Sequence, residues 1–210
     1  MHNSFSDLSD AFARQALLFC GHDLSLNDFS EVYSLAQEKY LYCLSRKKIK
    51  HLPSSICLHA DEYCSFLVFL ARQAYLHGEE VLAETAYLVN RRIHAFECFY
   101  TREIPSVFHL VHPVGSVLGQ ASFGDFLVVY QGVTVGGDLK LRYPRLGEGV
   151  VLFSNSSLIG SVEIGNNCAV GAGVQLYGDS VSDNVAISRR GQVVSVMSPL
   201  SWSVKQRFFN

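Results

Sequence analysis

From Leu146 to Leu176 an aliphatic residue stands at every sixth position: Leu146, Leu152, Leu158, Ile164, Val170 and Leu176. A helix brings apolar residues round every 3.6 positions and a strand every two, so neither accounts for a period of six. One short strand followed by one tight turn does. Three such units close a triangular coil of about eighteen residues, and stacking the coils merges the aliphatic residues into a continuous inner core. The residues two positions earlier (Val150, Ser156, Val162, Cys168 and Val174) are small or β-branched. An earlier series, Val111, Val117, Phe123, Val129 and Val135, has the same spacing, and Gly119, Gly124, Gly136, Gly147, Gly165 and Gly171 follow at the turns. These features predict a parallel β-helix of four or five coils. A β-sandwich would instead show strict alternation, with turns every eight to twelve residues or so.

The register breaks once. Eleven positions separate Val135 from Leu146, and the extra chain, "GGDLKLRYPR" from Gly136 to Arg145, reads as a loop expelled from one corner of the prism. Loops expelled from rigid solenoids are where binding and catalytic groups concentrate.

Before about residue 104 the pattern is helical. Ser6 or Asp7 is a candidate N-cap for a first helix that stops at Gly21, and a second is expected from Asp28 to Arg46. A third is expected from Asp61 to His77, stopped by Gly78, and a fourth from Glu79 to about Glu97. The basic cluster "RKKIK", Arg46 to Lys50, reads as a solvated helix end, with contact to a phosphate as the alternative. The chain is therefore expected to be α+β: a helical N-terminal domain (1–103), a β-helix domain (104–200) and a C-terminal tail (201–210).

A net charge of −2 gives no electrostatic reason to expect nucleic acid or an anionic membrane as partner. The longest apolar runs are too short to span a bilayer, and the polar, acidic N-terminus shows no secretory signal. The six cysteines form no C-x-x-C pair and mostly fall inside apolar patterns. They read as free core thiols of a cytoplasmic protein.

Specific segments resemble the serine acetyltransferase family of hexapeptide acyltransferases. "LVHPVGSVLGQA" from Leu110 resembles the family's L-D-H-A-T-G-I-V-V-G-E, and "GVTVGG" from Gly132 is similar to G-V-T-L-G-G. "YPRLGEGV" from Tyr143 resembles H-P-K-I-G-D-G-V, and "EIGNNCAVGAGV" is similar to the family's final coils. The match runs from about residue 105 to 188, while the helical half resembles the family only in architecture. The resemblance implies a left-handed β-helix, acetyl-CoA as co-substrate with no permanently bound cofactor or metal, and a homotrimer, with hexamers formed by pairing trimers.

By this resemblance His112 falls on the family's catalytic histidine. An imidazole near neutral pH suits removal of a proton from a hydroxyl during its attack on a thioester. His109 is the competing histidine. The carboxylate that would orient the base is Glu103, on the lead-in to the first coil, or Glu97, fifteen residues before His112 where the family has an aspartate. "VTVGG" would supply oxyanion donors, with Gly136 and Gly137 letting the thioester approach the backbone. Ser154 and Ala172 match positions along the acetyl-CoA groove between adjacent subunits.

The departures bear on the acceptor. The family aspartate before the histidine is Val111 here, and the second active-site histidine is Tyr143, although Arg142 is retained to pair with a carboxylate. The expected function is an acetyl-CoA-dependent O-acetyltransferase of the serine acetyltransferase type, acting on serine, or alternatively on a sugar or other hydroxylated metabolite, as in surface polysaccharide synthesis. A non-catalytic trimeric scaffold is a further alternative. A zinc hydrolyase on the same prism needs three converging imidazoles, and only His109 and His112 lie beyond residue 94. The chain ends "KQRFFN", without the C-terminal isoleucine by which family members bind cysteine synthase, so that partnership is not expected.

Overall fold

The period of six is realised as strands of two or three residues, each followed by a turn. The computed structural model describes residues 3–24, 26–48, 59–190 and 193–210. Four helices come first: α1 (Asn3–Cys20), α2 (Ser30–Arg46), α3 (Ala60–Leu76) and α4 (Glu80–His94). Gly21 and Gly78 take left-handed backbone at φ 71° and 77° and end α1 and α3, as their sequence positions suggest. α1 begins at Asn3, before its candidate caps. α4 stops at His94 because Ala95 turns left-handed, at φ 50°. Glu97 therefore sits in a strand, beyond the helix.

The strands described next are β1 (Glu97–Cys98), β2 (Phe108–Leu110), β3 (Val117–Leu118), β4 (Ser122–Phe123) and β5 (Leu127–Val129). β6 (Thr134–Gly136), β7 (Arg145–Leu146), β8 (Val150–Leu152), β9 (Ser157–Ile159) and β10 (Glu163–Ile164) continue the winding. β11 (Cys168–Val170), β12 (Gln175–Tyr177), β13 (Ser180–Val181), β14 (Val185–Arg190) and β15 (Val193–Pro199) complete it, and a short helix α5 (Val204–Phe208) follows. The pairing makes three parallel faces. The first runs β1-β3-β6-β9-β12, the second β4-β7-β10-β13 and the third β2-β5-β8-β11-β14. β15 folds back antiparallel on β14, so the last edge is covered by a hairpin. This is four full coils with a fifth begun.

Register identifies the inward-facing columns. Leu110, Val129, Leu152, Val170 and Ile187 stack on the third face, and Leu118, Val135, Leu158 and Leu176 on the first. Phe123, Leu146, Ile164 and Val181 line the second. The resumed sequence series is thus entirely inward, and its small companions Val150, Ser156, Val162, Cys168 and Val174 are buried. The earlier series holds only from Phe123 onward. In the first coil the inward residues are Leu110 and Leu118, one position away from Val111 and Val117. Val111 packs outward instead, against the apolar layer outside the third face. Glycine after the second face is a packing requirement. A Cβ on Gly124 would stand 2.5 Å from the backbone of Gly147, and one on Gly147 2.9 Å from that of Asn166.

The helices cap the first coil, and the two halves share one apolar core. Phe69 of α3 stacks on Phe108 of β2 at 5.2 Å between centroids. The Cys43 thiol of α2 donates to the Phe108 carbonyl at 3.2 Å. Cys43, Cys64, Cys98 and Cys168 are buried free thiols and Cys20 is partly exposed, while Cys57 lies outside the described residues. Burial pushes the Cys98 thiol up to about 12, so it stays protonated and unreactive.

The tail closes the structure. Val204 and Phe209 pack on Val107, Phe126, Val128, Val151 and Ala169 outside the third face, with Lys205 Nζ 4.0 Å from the centre of the Phe126 ring. Phe209 bridges Lys47, and the Asn210 amide donates to the Arg46 carbonyl at 2.7 Å. This alters the reading of the basic cluster. Lys47 is buried, its ammonium 2.9 Å from Glu62 Oε2 at the start of α3, and the Tyr40 hydroxyl donates to the same oxygen at 3.1 Å. A solvated lysine would leave Glu62, itself wholly buried, as an uncompensated charge. Ile49 and Lys50 lie outside the described residues.

Removing one partner of a buried ion pair is more damaging than replacing both. Lys47→Ala should lower unfolding free energy by about 3–5 kcal/mol, while Lys47→Met combined with Glu62→Leu should cost much less; urea denaturation with a common slope measures both. Stability should also depend on acid. Burial holds His94 and His109 down to about 4, His94 Nδ1 donating to the Asn90 Oδ1 at 2.8 Å and His109 lying near Lys47, Glu62 and His59. The unfolded chain takes up these protons first, so the stabilisation present at neutral pH is lost as pH falls from about 6.5 toward 4. Each histidine should contribute a loss of about 2 kcal/mol between pH 6.5 and 5, readable from denaturation midpoints and absent at that position in His94→Gln.

Candidate active site

His112 occupies an irregularity in the winding. Eight positions separate the inward residues Leu110 and Leu118, where six separate Val129 from Val135 in the next coil. The two extra residues bulge out at the corner between the third and first faces. His112 adopts left-handed backbone there, at φ 48°, and its carbonyl accepts the Val114 N–H at 2.7 Å. Its imidazole points into solvent, with 80% of the side chain exposed.

The carboxylate beside it is Asp61, from the first turn of α3. Asp61 Oδ2 accepts the main-chain N–H of His112 at 3.0 Å and stands 3.6 Å from its Nδ1. The second distance is too long for a full hydrogen bond. Glu103 and Glu97 stand elsewhere. Glu103 is exposed and lines a cavity of about 620 Å³ with Glu38, Arg72 and Asp125, whereas Glu97, in β1, pairs with Arg91 at 3.3 Å. Asp61 is the residue that sequence reasoning missed. It lies 51 positions from His112, with the rest of α3, all of α4 and two strands between them, so no local spacing signals the contact.

Ser154 and Ala172 run down the same edge as His112. Successive corners there are joined by Gly132 N–H to Val114 O, Asn155 N–H to Gln131 O and Gly173 N–H to Ser154 O, at 2.9–3.0 Å. Ser154 is half-buried and Ala172 exposed, so the edge below His112 is a strip of small side chains.

The expelled loop lies at a different corner, between the first and second faces. Asp138 organises it. Its Oδ1 accepts the N–H groups of Lys140 and Arg142 at 2.9 and 3.1 Å, and its Oδ2 takes Arg142 Nε and Nη2 at 2.7 and 2.5 Å. The Tyr177 hydroxyl adds a contact at 3.4 Å. These donors hold the Asp138 carboxyl down to about 2, the Arg142 side chain foremost. Arg142 is thus already paired within the chain, with part of its guanidinium open to solvent. Tyr143 lies against the backbone of Gly137, where a Cβ would meet its ring at 2.6 Å, while a Cβ on Gly136 would meet nothing within 4 Å. Of the two glycines, only Gly136 leaves open space beside the chain. Arg142, Tyr143, Arg145 and Ser161 line a cleft of about 440 Å³.

His109 does not join His112. Its Nδ1 is buried and its ring feels the charges of Lys47 and Glu62, and among the described residues no three metal-ligating side chains converge.

Residues 143–178 match the family model described as bacterial transferase hexapeptide (six repeats). A serine acetyltransferase of Synechococcus elongatus is 36% identical over 87 residues, which are 40% of this chain and 36% of that relative. One from Staphylococcus aureus is 26% identical over 143 residues, 66% of this chain and 67% of its own length. Over these stretches the chain is similar to serine acetyltransferases. Its match spans little more than a third of the Synechococcus relative's length. A Brucella abortus serine acetyltransferase, solved in complex with coenzyme A, superposes with a TM-score of 0.65 at 19% identity, covering 91% of this chain and 82% of that one. The fold is accordingly a helical region followed by a left-handed parallel β-helix.

The loop offers a direct check on its construction. Asp138→Ala should speed amide hydrogen exchange at Lys140 and Arg142 by roughly tenfold or more, because both N–H groups lose their acceptor. Exchange along β8 and β11 should stay unchanged.

Proposed function

We propose that the chain is an acetyl-CoA-dependent O-acetyltransferase of the serine acetyltransferase type, with His112 as general base. The observation that carries this reading is the His112 corner itself: a solvent-facing imidazole, set on an off-ladder bulge with a carboxylate against it, at the head of an edge lined by Ser154 and Ala172. In the reaction His112 Nε2 takes the proton of the acceptor hydroxyl as that oxygen forms a bond to the acetyl carbonyl carbon. The tetrahedral oxyanion collapses by breaking the C–S bond, and the departing thiolate takes the proton from the imidazolium. Backbone donors near Gly136 would stabilise the oxyanion, and the edge with Ser154 and Ala172 would receive the pantetheine arm. Acetyl-CoA is a co-substrate in this scheme, and no resident cofactor takes part.

The two corners support an assembled site. His112 and the expelled loop lie on opposite sides of the first face, and no hydrogen bond or ion pair joins them among the described residues. A threefold trimer brings one subunit's loop to its neighbour's His112 edge, which completes the constellation.

A second acceptor class is favoured by one observation. Arg142 is already neutralised by Asp138, and Val111 packs in an apolar layer, so neither presents an unpaired charge to an amino acid. A sugar or other hydroxylated metabolite needs neither charge. CoA release from acetyl-CoA, measured with serine, homoserine and a panel of sugars, separates these acceptors. His112→Ala should lower kcat by about 10²–10⁴-fold with whichever acceptor is used. Release that persists in His112→Ala would remove the general-base reading, and binding of CoA without turnover on any acceptor would favour a scaffold.

A further inference from the structure

The first turn of α3 carries two consecutive carboxylates, Asp61 and Glu62, and the helix sends them in different directions. Glu62 turns inward, where Lys47 and Tyr40 hold it. Asp61 turns toward the β-helix, where it meets His112. We propose that Asp61 is the positioning residue of the base, and that the helical half thereby contributes to the chemistry. This rests on the reading of His112 as base.

Three observations support the assignment. The same carboxylate oxygen that accepts the His112 main-chain N–H at 3.0 Å also faces Nδ1 at 3.6 Å. One group thus fixes both the backbone of the bulge and the side of the ring nearest to it. A short rotation of the exposed ring closes the longer contact, and catalytic hydrogen bonds commonly tighten only when substrate is bound. An Nδ1–H held toward Asp61 leaves Nε2 unprotonated and outward, which is the tautomer that a base needs.

The second is the anchoring of Asp61. Its side chain is only 14% exposed, and its own carbonyl accepts the Ser65 hydroxyl at 2.8 Å within α3. The start of α3 is pinned from below by the buried Glu62–Lys47 pair, and Lys47 is pinned in turn by its bridge to Phe209. Asp61 is therefore presented by a fixed helix end, where the helix dipole favours its negative charge.

The third is the placement of the alternatives. Glu97 is drawn off by Arg91 and Glu103 opens into a separate cavity. Asp61 is the carboxylate against the His112 ring among the described residues.

The test uses the full chain and reads the imidazole directly. Long-range ¹⁵N–¹H spectra of the wild type should show His112 mainly as the Nδ1–H tautomer. Asp61→Asn should abolish that preference and lower kcat about tenfold or more, with the affinity for acetyl-CoA unchanged by calorimetry. Asp61→Glu, which keeps the charge, should recover a substantial part of the rate. An unchanged tautomer in Asp61→Asn, or equal loss in the Asn and Glu variants, would overturn the proposal. The general-base reading fails separately, through CoA release that survives His112→Ala, and the tautomer measurement decides the Asp61 contact even then.

Discussion

A rung of two or three residues cannot satisfy its own backbone. The short strands pair through their N–H and C=O groups with the coils above and below, so each coil depends on its neighbours and the stack depends on its ends. The chain answers the two ends differently. The antiparallel hairpin of β14 and β15 covers the last coil, and the helices cover the first. The helical half is thus part of the same folding unit as the solenoid, which explains why one core runs through both.

The same dependence governs what the sequence could reveal. Columns such as Leu146–Leu152–Leu158 were legible because a regular winding repeats its chemistry at fixed spacing. The expelled loop was legible for the complementary reason, as a gap in that spacing. Val111 and Val117 misled because they keep the interval of six across the bulge, whose two extra residues shift the true inward positions to Leu110 and Leu118. Lys47 misled because a basic cluster after a helix has the composition of a solvated end. Only the fold brings Glu62 and the tail around it.

The site was legible in part for similar reasons. His112 and the residues of the loop sit in recognisable segments, so local sequence could single them out as candidates. It could not single out their partners. Asp61 reaches His112 from the helical half, and Asp138 captures Arg142 through a turn whose geometry depends on the loop as a whole. Charge pairing within the chain accordingly decides which of the expected groups remain available to a ligand. Gly137 shows the same effect without charge, since the space a glycine usually opens is taken by Tyr143.

The left-handed backbone of His112 stands outside the repeat. The stacked turns of this edge are made by Gly115, Gly132, Asn155 and Gly173, residue types that accept positive φ readily. His112 lies three positions before Gly115, in the bulge, and has no counterpart in the coils below. Histidine tolerates that conformation less well than glycine, and its exposed ring gains little from packing. The winding therefore makes no demand for histidine at this position, and the ring can be exchanged without disturbing the stack of turns.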